Sequence, residues 1–165
     1  LLLNIWRHHI VIYSQSLLRL MGTELATDLV HNNHQDAEQK LWRHVILNAL
    51  EDASVDLNDR KSSVNKFEAH NWITKDKDFE KISWWAGWDP ELVRQQYKKA
   101  VKNMTIKFTY KQVKWQKYYI LYKKLQSEKD TAARVSLRKS VETARKNVFN
   151  ASNGKVKNFC KLIIK

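Results

Sequence analysis

Residues 76–101 read DKDFEKISWWAGWDPELVRQQYKKAV, and the reading of this stretch decides the fold. Phe79, Ile82, Ser83 and Ala86 recur three or four apart, the spacing of one helical face. Gly87 ends that helix, because glycine enters the left-handed conformation at little steric cost. Asp89-Pro90-Glu91 starts another. Asp89 can cap free amides, Pro90 suits the first helical position, and Glu91 meets the positive end of the helix dipole. Val93, Tyr97, Ala100 and Val101 carry the second apolar stripe. The spacing matches a DNA-binding helix-turn-helix. That motif wants a small residue about four before the turn glycine, an apolar residue after it and a branched one in the second helix. Ser83, Gly87, Trp88 and Val93 fill those places. On this reading Glu91, Arg94, Gln95, Lys98 and Lys102 face outward into a major groove. Arg94 and Gln95 meet base edges, and Lys98 and Lys102 meet phosphates. The plainer alternative is a helical hairpin that only builds core. The acids Asp76, Asp78 and Glu80 on the first helix count against a phosphate backbone nearby.

Upstream, residues 36–54 predict a helix capped by Asp36, with Trp42, Val45, Ile46, Ala49, Leu50 and Ala53 on its apolar face. A polar link over 55–61 leads to a second helix at about 62–73. Its Val64, Phe67, Ala69, Trp72 and Ile73 form no single clean stripe. Both helices can support the helix-turn-helix.

Downstream, residues 103–111, NMTIKFTYK, are locally β-prone but have no evident partner strand, so they read as a linker or continued helix. Residues 112–128 predict a basic, aromatic helix in which Trp115, Tyr118, Tyr119 and Tyr122 recur among Lys114, Lys117 and other lysines. Its rings can stack on exposed bases or pack inward. The inward reading is favoured, because a stripe at this spacing is usually core. Residues 130–149 predict a further helix with a narrow seam of Ala133, Leu137, Val141, Ala144 and Val148. Arg134, Arg138, Lys139 and Arg145 cover much of the rest. The two helices make an antiparallel hairpin, or the seam pairs with a second copy to give a homodimer. The expected architecture is therefore all-α: an N-terminal extension over 1–35, a helical domain over 36–102, and a basic helical region with a tail over 103–165.

Three glycines and one proline among 165 residues argue against a sheet built on tight turns. The net charge of +13 is unevenly spread. Residues 1–97 hold 11 Lys+Arg against 14 Asp+Glu, and residues 98–165 hold 19 against 3. Such asymmetry favours a polyanionic partner, nucleic acid ahead of an anionic membrane. Cys160 is the only cysteine, which excludes an internal disulfide or a CxxC zinc site and fits a cytoplasmic setting. Residues 1–20 are apolar, but Arg7, His8 and His9 interrupt them short of the ~20 apolar residues a membrane span needs. Met21 is the first methionine and reads as a natural start, with residues 1–20 as upstream sequence or a short docked helix. His31 and His34 can begin a metal site, yet no spaced ligand completes it. Asp76, Asp78 and Glu80 can bind a metal of nuclease type, but an acidic cluster alone is more often a solvated helix start. There is no GxxxxGKS/T, HExxH or GxSxG motif. No enzyme, metal or cofactor is expected.

The pattern Leu41-Trp42-x-x-Val45, Ala69-x-x-Trp72-Ile73, Asp78-Phe79 and Ala86-Gly87-x-Asp89-Pro90-x-x-Val93-Arg94 resembles small helical proteins encoded by tailed bacteriophages and prophages. The resemblance spans about residues 36–100. It implies a phage context, and with it the host cell's cytoplasm. Ser83 departs from it, standing where such proteins carry cysteine. The function expected is nucleic-acid binding, with the helix-turn-helix regulating transcription on duplex DNA and the cationic hairpin adding sequence-independent affinity. The alternatives are a small terminase-like packaging subunit and a helical module that presents its tryptophans to a host factor.

Overall fold

A computed structural model describes residues 36–156. The expectations for the 1–35 extension, Met21, the His31–His34 pair and Cys160 lie outside the described residues. Six helices are present among the described residues: α1 (Ala37–Ser54), α2 (Arg60–Lys75), α3 (Lys77–Trp85), α4 (Pro90–Lys102), α5 (Tyr110–Ser127) and α6 (Thr131–Phe149). The described residues form an all-α fold, as the composition predicts. Short polar side chains cap every helix but α1, where Asp36 makes no side-chain cap hydrogen bond, contrary to expectation. Asp59, Asp76, Asp89 and Asp130 accept from the backbone amides of Ser62, Asp78, Glu91 and Ala133. Thr109 and Gln112 form a reciprocal capping box on α5. Each such cap is worth about 1 kcal/mol.

α1 packs against α2 and α3, α2 packs against α5, and α5 pairs with α6. The main core joins Ile46, Leu47, Leu50 and Ala53 of α1, Phe67 and Ile73 of α2, Phe79 of α3, and Val93, Tyr97, Ala100 and Val101 of α4. Two faces differ from the expected ones. α1 buries Arg43 and Leu47, while Trp42, Val45 and Ala49 are only partly covered. α2 begins at Arg60, and its buried stripe runs through Ser63, Lys66, Phe67, His70 and Ile73. A lysine and a histidine complete that stripe, which is why apolar periodicity alone misses it.

Lys66 is fully buried. Its Nζ donates to the carbonyl oxygens of Val55 and Lys107, both at 2.6 Å, and lies 3.8 Å from the Asp56 carboxylate. Burial pulls its pKa down to about 8, against the pull of Asp56. The same corner holds the start of α5. Gln112 Nε2 donates to the Leu57 carbonyl at 2.8 Å, Trp115 Nε1 to the Asn58 carbonyl at 3.0 Å, and the Thr109 hydroxyl to Asn58 Oδ1. A polar network thus ties the cationic rear half to the α1–α2 link.

Residues 103–109 link α4 to α5 without continuing the helix, but the link is built into the core rather than lying free. Ile106 and Phe108 are buried, and the β-prone run finds its partner in the segment after α6. The Val156 amide donates to the Phe108 carbonyl at 2.8 Å and the Tyr110 amide to the Gly154 carbonyl at 3.0 Å. α4 ends just before this run in a left-handed turn at Met104, φ 61°. The Thr105 amide reaches the Ala100 carbonyl at 2.9 Å and the Met104 amide the Val101 carbonyl at 3.2 Å, the paired bonds of a Schellman cap. A side chain in this conformation carries a steric cost that glycine avoids. Met104→Gly is therefore expected to stabilise the protein by up to about 1 kcal/mol in urea denaturation. A loss of stability would mean that Met104's packing outweighs its backbone strain.

Candidate nucleic-acid interface

The turn between α3 and α4 is built from Ser83, Ala86, Gly87 and Trp88. Gly87 has φ 73°, and a Cβ there would lie 2.1 Å from Gln39 Nε2. The Trp88 amide donates to the Ser83 carbonyl at 2.9 Å and the Gly87 amide to the Trp84 carbonyl at 3.0 Å, another Schellman cap. Ser83 is wholly buried, and its hydroxyl finds no hydrogen-bond partner among the described residues. α1 holds this turn from behind. Arg43 Nε donates to the Ala86 carbonyl at 2.8 Å, and the guanidinium stands 5.1 Å over the Trp88 ring. Sequence reading missed Arg43, although it lies three residues before Ile46 and four before Leu47, on the face that α1 buries.

α4 has two faces. Val93, Tyr97, Ala100 and Val101 are buried, at the positions the spacing predicts, and Pro90 is buried with them. Glu91, Gln95, Lys98 and Lys102 are exposed, and among the described residues neither lysine makes an ion pair.

Arg94 departs from its expected place at a base edge. Its side chain is 13% exposed, and Nη1 meets Glu80 Oε1 at 2.8 Å. Nε donates to the Ile73 carbonyl and Nη2 to the Asp76 carbonyl, both at 3.0 Å. The guanidinium also stands 5.2 Å over the Phe79 ring. The residue locks α4 to the α2–α3 junction because its position on α4 overlooks the carbonyls that α2 leaves open at its C-terminal end. The acids that counted against phosphate are occupied too. Glu80 holds Arg94, Asp76 caps α3, and Asp78 lies 3.7 Å from Lys81.

The second cationic surface lies on the α5–α6 hairpin. Lys114 and Lys117 of α5 and Lys139 of α6 line one groove of about 460 Å³, with Leu121, Ser140, Thr143, Ala144 and Asn147. Arg134, Arg138 and Arg145 are exposed along α6 and make no ion pair among the described residues. Trp115, Tyr118 and Tyr122 of α5 pack within the chain. Trp115 lies edge-on to Tyr118 at 5.7 Å and to Phe149 at 6.4 Å. Tyr118 and Tyr122 stack at 6.0 Å, with Arg60 over both at 5.4 and 5.5 Å. On α6 the seam residues Ala133, Leu137, Val141, Ala144 and Val148 are the covered positions of a helix paired with α5.

An apolar surface is left at the far end of α3. Trp84 is 63% exposed, Trp85 54% and Leu41 58%, with Trp42 stacked obliquely on Trp85 at 4.9 Å. Among the described residues no three or more metal-binding side chains gather, and no helix is long and apolar enough to cross a membrane. The chain matches no protein-family model, no curated protein and no solved structure.

Proposed function

We propose that the chain binds nucleic acid, with α4 as the recognition helix of a helix-turn-helix on duplex DNA and the α5–α6 hairpin supplying sequence-blind grip, in the role of a phage regulator. One observation carries this reading: α4 is anchored to the core along one side, while its other side is open and bears Glu91, Gln95, Lys98 and Lys102. A major groove admits a helix of this kind. Gln95 is the residue suited to adenine, Glu91 can accept from cytosine, and Lys98 and Lys102 neutralise phosphates. Arg94 does not read bases in this scheme; it sets the angle of the helix that does.

An electrophoretic shift series on duplex DNA, single-stranded DNA and RNA at several salt concentrations tests the reading. Lys98→Gln with Lys102→Gln is expected to weaken binding to every sequence and to reduce the salt slope by about 2. Gln95→Ala is expected to change the preference between sequences, by about 1–3 kcal/mol at the base it meets. Uniform losses on all sequences from both variants would remove base reading. The exposed Trp84, Trp85 and Leu41 favour the protein-interaction module as second reading. Failure to bind any nucleic acid at low salt, with capture of one defined host protein lost on Trp84→Ser, would select it.

A further inference from the structure

Three ammonium groups converge on the groove between α5 and α6. Lys114, Lys117 and Lys139 line it, no acidic residue does, and among the described residues none of the three makes an ion pair. Like charges gathered in one concavity repel one another, and no acidic side chain pairs directly with these three among the described residues. We infer that this groove is a phosphate track: it takes the sugar-phosphate ridge of one nucleic-acid strand, separately from α4. The inference rests on the nucleic-acid reading and adds where the sequence-blind contacts are made.

The lining fixes the chemistry. The Ser140 hydroxyl donates to the Ser136 carbonyl at 3.3 Å and the Thr143 hydroxyl to the Lys139 carbonyl at 3.0 Å, so their hydrogens are committed. The donors left for an anion are the three lysines and the Asn147 amide. No aromatic ring lines the groove, and Trp115, Tyr118 and Tyr122 of α5 are packed against Asn58, Phe149 and Arg60. Bases therefore find nothing to stack on, and only phosphates are held. Lys114 and Lys117 are separated by a rise of about 4.5 Å along α5. Their flexible four-carbon stems can reach neighbouring phosphates of one strand from that spacing. One helix can thus meet successive phosphates while Lys139 closes from the other. A concave track between helices suits a ridge better than the flat surface of a bilayer.

The experiment is an anisotropy titration of the full chain with a labelled duplex and a labelled single strand, each in two unrelated sequences, over graded salt. The groove variant K114Q/K117Q/K139Q is compared with K40Q/K61Q/K77Q, which removes equal charge from exposed lysines of the other half of the chain. The groove variant is expected to lose about tenfold or more on every sequence, and its salt slope to fall by about 2 to 3. The charge-matched variant is expected to change less than about threefold, and K114R/K117R/K139R to keep the wild-type slope. Circular dichroism confirms that each variant keeps its helices. Equal losses from the two glutamine variants, or an unchanged slope in the groove variant, would overturn the track while leaving α4 in place. A wild-type chain that binds neither oligonucleotide would end the nucleic-acid reading and the track with it. Groove-dependent binding to phosphatidylserine vesicles alone would overturn the assignment in favour of lipid phosphate.

Discussion

Arg94→Ala is expected to cost about 3 kcal/mol of folding stability, a far larger loss than a base-reading arginine on an open helix face would give. The guanidinium is mostly covered and has three separate protein acceptors: the carbonyls of Ile73 and Asp76 and the carboxylate of Glu80. Truncation leaves two carbonyls at the end of α2 without their charged donor and removes a cation from over the Phe79 ring. Hydrogen bonds to charged groups contribute more than neutral ones, about 1.5–3 kcal/mol each before resolvation of the partners is counted. The ion pair is the smaller part, because Glu80 is half exposed. Glu80→Gln should therefore cost only about 1 kcal/mol or less. Arg94→Lys keeps the charge but cannot span three acceptors, and should fall between the two. Urea denaturation of the three variants checks this order. An Arg94→Ala protein of wild-type stability that has lost its preference between DNA sequences would return Arg94 to the base edges.

Arg94 also illustrates what the chain discloses from its letters and what it withholds. The turn and the inner side of α4 were legible, because glycine, proline, aspartate and the 3–4 spacing of Val93, Tyr97 and Ala100 each act through local backbone physics. The outward position expected of Arg94 does not hold, because its side chain is mostly covered and turned to the α2–α3 junction. Its engagement was not legible, since that depends on where α2 ends, at Lys75. The stripe of α2 stayed hidden for a related reason. Lys66 and His70 take core positions only because Val55, Lys107 and Tyr97 arrive from distant parts of the chain to pair with them. The β-prone run at 106–109 lacked a visible partner because the partner follows α6, more than forty residues later. The lysines of the groove were legible as a charge excess, whereas their convergence required the pairing of α5 with α6.

The cations sort into two populations by what they face. Arg43, Lys66 and Arg94 spend their donors on backbone carbonyls around the helical core, where they close helix ends and links. Lys98, Lys102, Lys114, Lys117 and Lys139 have no such employment among the described residues. The charge of these five lysines is thus left to a polyanion rather than consumed by the fold.

The protein is expected to lose about 3 kcal/mol of stability between pH 6.5 and about 4 through His70 alone. His70 is buried on α2, with Nδ1 2.8 Å from the Tyr97 hydroxyl of α4. Burial, helped by the nearby Lys75 charge, lowers its pKa from 6.5 to about 4. The unfolded chain thus takes up a proton near pH 6.5 that the folded chain refuses until about pH 4. Wherever the unfolded state binds more protons, stability falls as pH drops. The contribution is therefore fully present above pH 6.5 and fades through the window below it. His70→Gln keeps a polar atom near the Tyr97 hydroxyl but cannot titrate. It should cost stability near pH 7 and regain most of that deficit relative to wild type near pH 4. Taking the difference between the two proteins cancels the carboxylates they share. Asp59, held below its usual value by the Ser62 amide, loses its contribution only at still lower pH. Since Tyr97 seats α4, acid should loosen the helix proposed to enter DNA before it disturbs the α5–α6 pair, and amide exchange along α4 can follow that directly. A stability gap between wild type and His70→Gln that stays constant from neutral pH to pH 4 would show that His70 takes up its proton in the folded state as readily as in the unfolded chain.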